Sequence, residues 1–303
     1  MRPLALALSF VWLMTACAAR EPARTSALHD DAVTIASFNF QESELLAELY
    51  AQALEARGIR VERQMGLGPR EIVQPSLESG LVELVPEYAG SLLEFLAGEG
   101  SASSTLVVTL GDLEHEFVDR GLVALDPAAA QNQNSFVVTQ ETADRFGLQA
   151  VSDLAEVEDL TLGGPPECPQ RPLCQLGLER RYDVFSDFVA LDQSGPLTTD
   201  ALIGGVIDVA LFFSTSPQIV QHGLVVLEDD RQLQPAENIL PVVHRAALQR
   251  FGSRLSSGVD AVSRLLTTQE LRALNAALTY GEATAAEAAR GWLLARGLVP
   301  APG

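Results

Sequence analysis

The sequence predicts an α/β protein built from two similar units, and three observations predict it. Short apolar runs of strand length alternate with amphipathic stretches of helical length, the pattern of open sheets covered by helices. One piece of grammar occurs twice, in Leu77-Glu-Ser-Gly-Leu-Val-Glu-Leu-Val-Pro-Glu-Tyr-Ala-Gly-Ser91 and in Leu202-Ile-Gly-Gly-Val-Ile-Asp-Val-Ala-Leu-Phe-Phe-Ser-Thr-Ser216. Each copy ends a helix at a glycine (Gly80, Gly205), sets an acid three residues on (Glu83, Asp208), and runs through an apolar strand into a polar loop. Finally, 303 residues at 47% hydrophobic suffice for two α/β domains with real cores.

Taken in order, Val33–Ser37 reads as a strand, followed by the loop Phe38-Asn39-Phe40 and a helix Glu42–Arg57. Leu45, Leu46, Leu49, Ala53 and Leu54 recur there at helical spacing, so one face is core. Gly58 stops that helix before a strand Ile59–Gln64, a turn Gly66–Arg70, and a helix Glu71–Ser79 interrupted by Pro75. The first copy of the grammar then predicts a strand Leu81–Val85 and a helix opening at Ser91, whose hydroxyl can cap free N–H groups. Tyr88 is expected at the mouth of the crevice beyond that strand, with its ring exposed. Ser101–Ser104 is a polar loop, Leu113–Arg120 a helix, and Leu122–Leu125 a strand. A second unit begins near Asn134 with a strand Phe136–Val138 and a helix Glu141–Phe146. It continues through a cysteine loop, a helix near Leu178–Tyr182, a strand Phe185–Leu191, the second copy of the grammar, and a strand Leu224–Leu227. Asn238–Val243 returns the chain to the first unit, and Val259–Leu266, Glu270–Leu278 and Ala285–Arg296 are helical. Crossings near Asn134 and Asn238 are expected to form a hinge between lobe 1 (32–133 and 239–300) and lobe 2 (134–238).

The charge balance excludes one class of partner. With 20 Lys+Arg against 40 Asp+Glu, the net charge is −20, and nucleic acids or anionic membranes require clustered basic residues. Every basic residue is arginine, so no lysine can serve as Schiff base, phosphate-loop cation or ligand contact.

Residues 1–16 have the layout of an export signal: Arg2, the apolar run Leu4–Met14, then Thr15-Ala16 before Cys17. The run is too short to span a membrane. A small residue directly before cysteine suits lipoprotein processing, making Cys17 the acylated first residue of the mature chain and 17–31 a tether. An ordinary signal cut near Ala18 or Ala19 is the alternative. Cys168 and Cys174, in Pro-Glu-Cys-Pro-Gln-Arg-Pro-Leu-Cys, read as a structural disulfide bracing a proline-rich loop rather than a redox pair, which favours Cys-x-x-Cys.

Catalytic chemistry finds no assembled motif. His29, His115, His222 and His244 lack metal-ligand spacing, so neither metal nor cofactor is expected. There is no Gly-x-Ser-x-Gly elbow and no phosphate-binding loop, and Gly66-Leu-Gly-Pro-Arg-Glu lacks the third glycine of a dinucleotide fingerprint. Binding is favoured over catalysis.

The segments Ile35–Glu42, Glu48–Gly58, Glu71–Gly80, Val85-Pro-Glu-Tyr-Ala-Gly-Ser91, Asn134–Thr139, Gly163–Leu178, Phe213-Ser-Thr-Ser216 and Pro235–Val243 resemble, in order, the substrate-binding proteins of ABC importers for glycine betaine, choline, carnitine and other compatible solutes. The Cys168/Cys174 pair resembles the actinobacterial-type branch. The resemblance implies a periplasmic-binding-protein fold of the second type: two α/β lobes on a two-segment hinge, closing on a ligand. It also implies cation–π capture of a quaternary ammonium and an arginine on any carboxylate. By residue it implies Tyr88 and Phe213 as cage aromatics and Ser91, Ser214 and Thr215 as donors. Phe136 stands where a cage tyrosine is usual and Asn134 where an acid is common; Arg171 matches the carboxylate grip. Phe136 and Phe213 have core positions as their alternative.

Two departures bear on the ligand. Phe38, beside Asn39, replaces a lysine that helps to hold the carboxylate, and Glu237 stands where another tyrosine is expected. Both favour a cation without carboxylate, such as choline, or a neutral or aromatic polyhydroxy ligand stacking on the rings. The implied product is an exported, lipid-anchored, monomeric binding protein. It would sit on the outer face of the cell membrane or in the periplasm and deliver its ligand to a permease. A sensor uncoupled from transport, and an exported enzyme using the cysteine loop, are the rivals.

Overall fold

The computed structural model describes residues 31–192 and 194–301, folded as two five-stranded mixed sheets wrapped in helices. The export signal 1–16, Cys17 and the tether up to residue 30 lie outside the described residues.

The first sheet takes β1 (Ala32–Phe38), β2 (Arg60–Gly68), β3 (Leu84–Tyr88) and β4 (Leu122–Ala124), together with β10 (Ile239–His244) from much later in the chain. Its order is β2-β1-β3-β10-β4. The second takes β5 (Asn134–Val138), β6 (Thr161–Gly164), β7 (Asp187–Ala190), β8 (Val209–Phe213) and β9 (Val225–Val226), in the order β7-β6-β8-β5-β9. The two sheets are the same arrangement. In each, the first three strands are parallel, and the fourth runs antiparallel to the third. The fourth strand of each sheet arrives from the other lobe, and the crossing segments meet at an antiparallel bridge between Gln131 and Asn238.

Burial explains the strand sequences. β1 is buried along its whole length, and β3 likewise, because helices cover both faces of the first sheet. β5 and β8 alternate instead: Phe136, Val138, Val209 and Leu211 face one apolar cluster, while Val137, Ala210 and Phe212 face another.

Four helices follow the early strands: α1 (Gln41–Glu55), α2 (Arg70–Glu78), α3 (Ala89–Ala97) and α4 (Leu106–Phe117). Lobe 2 carries α5 (Gln140–Phe146), a single turn α6 (Gln175–Gly177), α7 (Pro196–Ile203) and α8 (Pro217–Gln221). The C-terminal segment adds α9 (Arg245–Phe251), α10 (Ser253–Ser263), α11 (Thr268–Thr279) and α12 (Ala285–Ala295). α1 is buried almost all round because α10 and α12 cover the side that the sheet does not.

Several boundaries differ from expectation. β2 continues through Gly66 to Gly68, where a turn was expected, because it pairs with β1 as far as Phe38. Pro75 does not interrupt α2. β3 starts at Leu84 rather than Leu81, since the N–H groups of Leu81 and Val82 both return to the Ser76 carbonyl and close α2 beyond Gly80. α4 starts at Leu106, seven residues before the expected Leu113. α9 was not expected; only Ala247 on it is buried, so it carries almost no apolar stripe.

The repeated acid has a structural role. Glu83 and Asp208 each enter their strand beside the parallel neighbour and accept that neighbour's backbone N–H, from Thr34 at 3.4 Å and from Thr161 at 2.9 Å. The N–H of each acid donates in return to the carbonyl of the same threonine, at 2.7 and 2.9 Å. Gly80 and Gly205 reach that register in left-handed conformations, with φ of +72° and +68°.

Candidate functional site

The last residues of β3 and β8 are Tyr88 and Phe213, and they face one cavity from opposite lobes. The cavity holds about 470 Å³ and is lined by Phe40, Glu42, Tyr88 and Ser91 from lobe 1. Asn132 from a crossing segment, Phe213, Thr215 and Ser216 from lobe 2, and Asn275 and Thr279 from α11 complete the wall. Ends of strands at an interlobe crevice are where α/β proteins present ligands.

The β1–α1 loop supplies the exposed ring. Ser43 accepts the Phe38 N–H at 2.9 Å and Ser37 accepts the Gly66 N–H at 2.8 Å, fixing the chain where it leaves β1. Phe38 and Phe40 stack at 5.9 Å with their planes 6° apart, and Phe40 stacks in turn on Tyr88 at 6.2 Å. Phe40 is 42% exposed, whereas Tyr88 is only 7% exposed, so its ring is walled in rather than standing open as expected. Its hydroxyl donates to Glu42 at 2.7 Å; burial first, and then the Glu42 carboxylate, hold the phenol well above its ordinary pKa.

Glu42 is the hub. Its side chain is buried, and it accepts from Tyr88, from the Asn132 amide at 2.8 Å and from the Asn275 amide at 2.5 Å. No lysine or arginine lines this cavity. Three aromatic rings around an acceptor-rich wall suit a cation.

A second cavity, of about 350 Å³, adjoins the first. Glu94 and Glu99 face Asn134, Arg171 and the Cys168–Cys174 disulfide, whose Cα atoms are 5.2 Å apart. The two cavities have no lining residue in common but are lined by neighbours: Ser91 and Glu94 lie one turn apart on α3, and Asn134 pairs directly with Phe213. Arg171 is exposed, and no described residue makes an ion pair with it. It therefore stands beside the aromatic cavity and does not line it.

The structure thus gathers Tyr88, Ser91, Phe213 and Thr215 around one cavity and puts Asn134 and Arg171 in the next. The remaining expectations are corrected. Phe136 is 2% exposed and packs into the lobe 2 core, because its place in β5 turns it toward Val138 and Leu211. Ser214 spends its hydroxyl on the crossing segment, donating to the Gln131 carbonyl at 2.9 Å and accepting the Gln133 N–H at 3.0 Å. Phe38 is buried outside the wall, with the Arg70 guanidinium 5.2 Å over its ring; Arg70 is itself held by the fully buried Glu87 at 2.9 Å. Asn39 is exposed and lines neither cavity.

Glu237 is also outside the wall. Its carboxylate accepts the Ser91 N–H at 3.1 Å and the Ser91 hydroxyl at 2.6 Å, which caps the start of α3 from the crossing segment. Ser91 is consequently the third residue of that helix and not its cap. Burial pushes Glu237 up to about 7, against the opposing pull of the Ser91 bonds and the Arg70 charge.

Sequence reasoning missed Phe40, Glu42, Asn132 and Asn275. Glu42 opens a helix directly after a strand end, which is a usable sign. Asn275 shares its buried helix face with Leu271 and Leu278, and a polar residue inside an apolar stripe was the sign available there.

Two similar lobes on crossing strands, with a ring-lined cavity between them, define a type II periplasmic solute-binding protein. A family model described as the substrate binding domain of ABC-type glycine betaine transport systems matches residues 31–295. The chain belongs to that family. The glycine-betaine-binding protein of Pseudomonas aeruginosa is 28% identical over 283 residues, covering 87% of this chain and 87% of that one. The glycine betaine-binding protein YehZ of Escherichia coli is 24% identical over 272 residues, covering 84% and 88%. Among solved structures, one described as a glycine betaine/carnitine/choline ABC transporter superposes with a TM-score of 0.82 at 24% identity, over 88% of this chain and 99% of its own. Apo YehZ superposes with a TM-score of 0.78 at 23% identity, over 88% and 99%. Binding proteins of ABC importers work outside the cytoplasm, and among the described residues no helix is long and apolar enough to cross a membrane.

Proposed function

We propose that this chain binds a small quaternary ammonium solute, of the class that includes glycine betaine, choline and carnitine, and delivers it to an ABC permease without making or breaking bonds. The observation that carries this reading is the cavity in which Phe40, Tyr88 and Phe213 surround the buried Glu42 carboxylate with no basic side chain in the wall. Each ring facing an onium group contributes about 0.5–2 kcal/mol, and the carboxylate adds an attraction of matching sign. The lobes, 32–133 with 239–300 and 134–238, close on the ligand as one monomer. The chain is exported by its signal 1–16 and held at the membrane by acylated Cys17, with 17–31 as the tether.

Titration calorimetry of the full chain against glycine betaine, choline and carnitine tests the reading, with circular dichroism to establish folding. A saturable one-to-one isotherm is expected for at least one of them. Absence of heat from all three in a folded sample overturns the assignment.

A further inference from the structure

The cavity that adjoins the aromatic one is walled by charge. Glu94 and Glu99 come from lobe 1, and Glu167 and Arg171 from lobe 2. None of the four makes an ion pair among the described residues. Three carboxylates and one guanidinium therefore border a gap of about 350 Å³ between the lobes. Bringing the lobes together carries Glu167 toward Glu94 and Glu99, and like charges repel more strongly as water leaves the space between them. Without a cation in that space, closure works against its own walls.

The loop that carries Arg171 is tied at both ends. The Arg171 N–H donates to the Cys168 carbonyl at 3.1 Å, and its carbonyl accepts the Cys174 N–H at 3.1 Å. The disulfide joins Cys168 to Cys174. Beneath the loop, a Cβ on Gly177 would stand 2.1 Å from the Pro172 carbonyl oxygen, so α6 abuts the residue that follows Arg171. Opposite, Glu94 is half-buried on α3, whereas Glu99 lies past the end of that helix at Gly98. An arginine on a braced loop and a carboxylate on a helix meet with less backbone ordering than two groups on free chain.

We propose that Arg171 is a closing latch: as the lobes shut, its guanidinium pairs with Glu94 across the gap and cancels the repulsion that Glu94, Glu99 and Glu167 otherwise set against closure. The inference rests on the lobes closing over a solute, as proposed above, and is independent of which solute that is. It gives Arg171 a partner on the opposite lobe, where the resemblance implies a partner on the ligand. The position of Arg171 agrees with this, since it lines the charged gap and not the aromatic cavity.

A charge exchange tests the latch. Calorimetry of the full chain uses the tightest binder among glycine betaine, choline and carnitine, with each variant shown folded by circular dichroism. Arg171→Glu is expected to weaken binding about fivefold or more, and adding Glu94→Arg to it is expected to restore binding to within about twofold of wild type. Adding Glu114→Arg instead, on the exposed side of α4, returns the net charge away from the gap and is expected to restore nothing. Wild-type affinity in Arg171→Glu overturns the latch. So does a failure of Glu94→Arg to restore, because an arginine that holds the ligand is not replaced by one on the other lobe. Equal recovery with Glu114→Arg overturns it as well.

Small-angle scattering by the ligand-free chain separates the latch from the solute assignment. In about 0.01 M salt, where charges act over about 30 Å, Arg171→Glu is expected to have a larger radius of gyration than wild type. In about 1 M salt, where the range falls to about 3 Å, the two are expected to coincide. Absence of binding by all three solutes removes the proposed function, and the scattering difference then decides the latch alone: equal radii in low salt overturn it.

Discussion

The two lobes are built to one plan and stabilised by different means. Tyr88 pairs with Ile239 across β3 and β10, as Phe213 pairs with Asn134 across β8 and β5. The next N–H in each lobe, from Ala89 and from Ser214, donates to the opposite crossing segment, at Asn238 and at Gln133. That correspondence makes Glu237 the counterpart of Asn132. Of these counterparts on the crossing segments, Glu237 is a buried acid bonded to Ser91 of lobe 1, whereas Asn132 is neutral. Glu83 is 3% exposed and bonded twice to Arg250, at 2.6 and 2.8 Å, whereas Asp208 is half-buried and accepts a backbone N–H. Lobe 1 has one continuous core; lobe 2 has a separate cluster on each face of its sheet and a disulfide. The electrostatics of the site therefore reside in lobe 1, and lobe 2 contributes a ring, hydroxyls and backbone.

The largest effect should separate the twin acids. Glu83→Ala breaks a buried ion pair and is expected to cost about 3 kcal/mol, while Asp208→Ala loses one neutral donor's partner and should cost about 1 kcal/mol. Urea midpoints of the two variants measure the difference; equal losses would mean that Arg250 contributes nothing to the distinction.

The counterparts Glu237 and Asn132 differ in charge, and that predicts a pH effect of intermediate size. The folded-state value of Glu237, raised from 4.5 to about 7, favours its neutral form. Its contribution is complete below the unfolded-state value and disappears as pH climbs through about 7, a change of about 3 kcal/mol. Urea midpoints should accordingly fall between about pH 5 and about pH 8, and Glu237→Gln should flatten that slope. A slope that survives the substitution assigns the effect to another group.

The smallest contrast is between the two terminal rings. Tyr88→Ala removes both a face and a Glu42 partner and should weaken onium binding about tenfold or more. Phe213→Ala removes only a face and should weaken it about threefold. Equal losses by calorimetry would mean that the tyrosine hydroxyl adds nothing to its ring.

The order of strands and helices was legible because burial imposes period 2 and period 3.6 on the sequence. The repeated glycine-and-acid unit was legible too, though its purpose, to brace the neighbouring strand, was not, since pairing partners such as Thr34 and Thr161 are remote in sequence. α4 hid its first turns because Val107 and Val108 are apolar yet exposed, which blurs the helical stripe. In the site, the residues anticipated were those at strand ends or just beyond them: Tyr88, Ser91, Phe213 and Thr215. Phe136 was left open between cleft and core, because one step of strand parity decides between them, and it takes the core position. Asn275 approaches Glu42 across 233 positions, and no local pattern encodes that meeting.

α11 gives the ligand chamber a mechanical connection. Asn275 holds Glu42 on one side and the Thr215 carbonyl on the other, and Arg272 grips the Ser214 carbonyl at 2.9 Å. The N–H of Gln131 is bonded to Thr268 at the start of the same helix. Swinging lobe 2 about the crossing segments must either drag α11 along or snap those tethers. The helix is thus a tie-rod between fulcrum and chamber, and under the proposed function a cation beside Glu42 would bear on the same side chain that α11 holds.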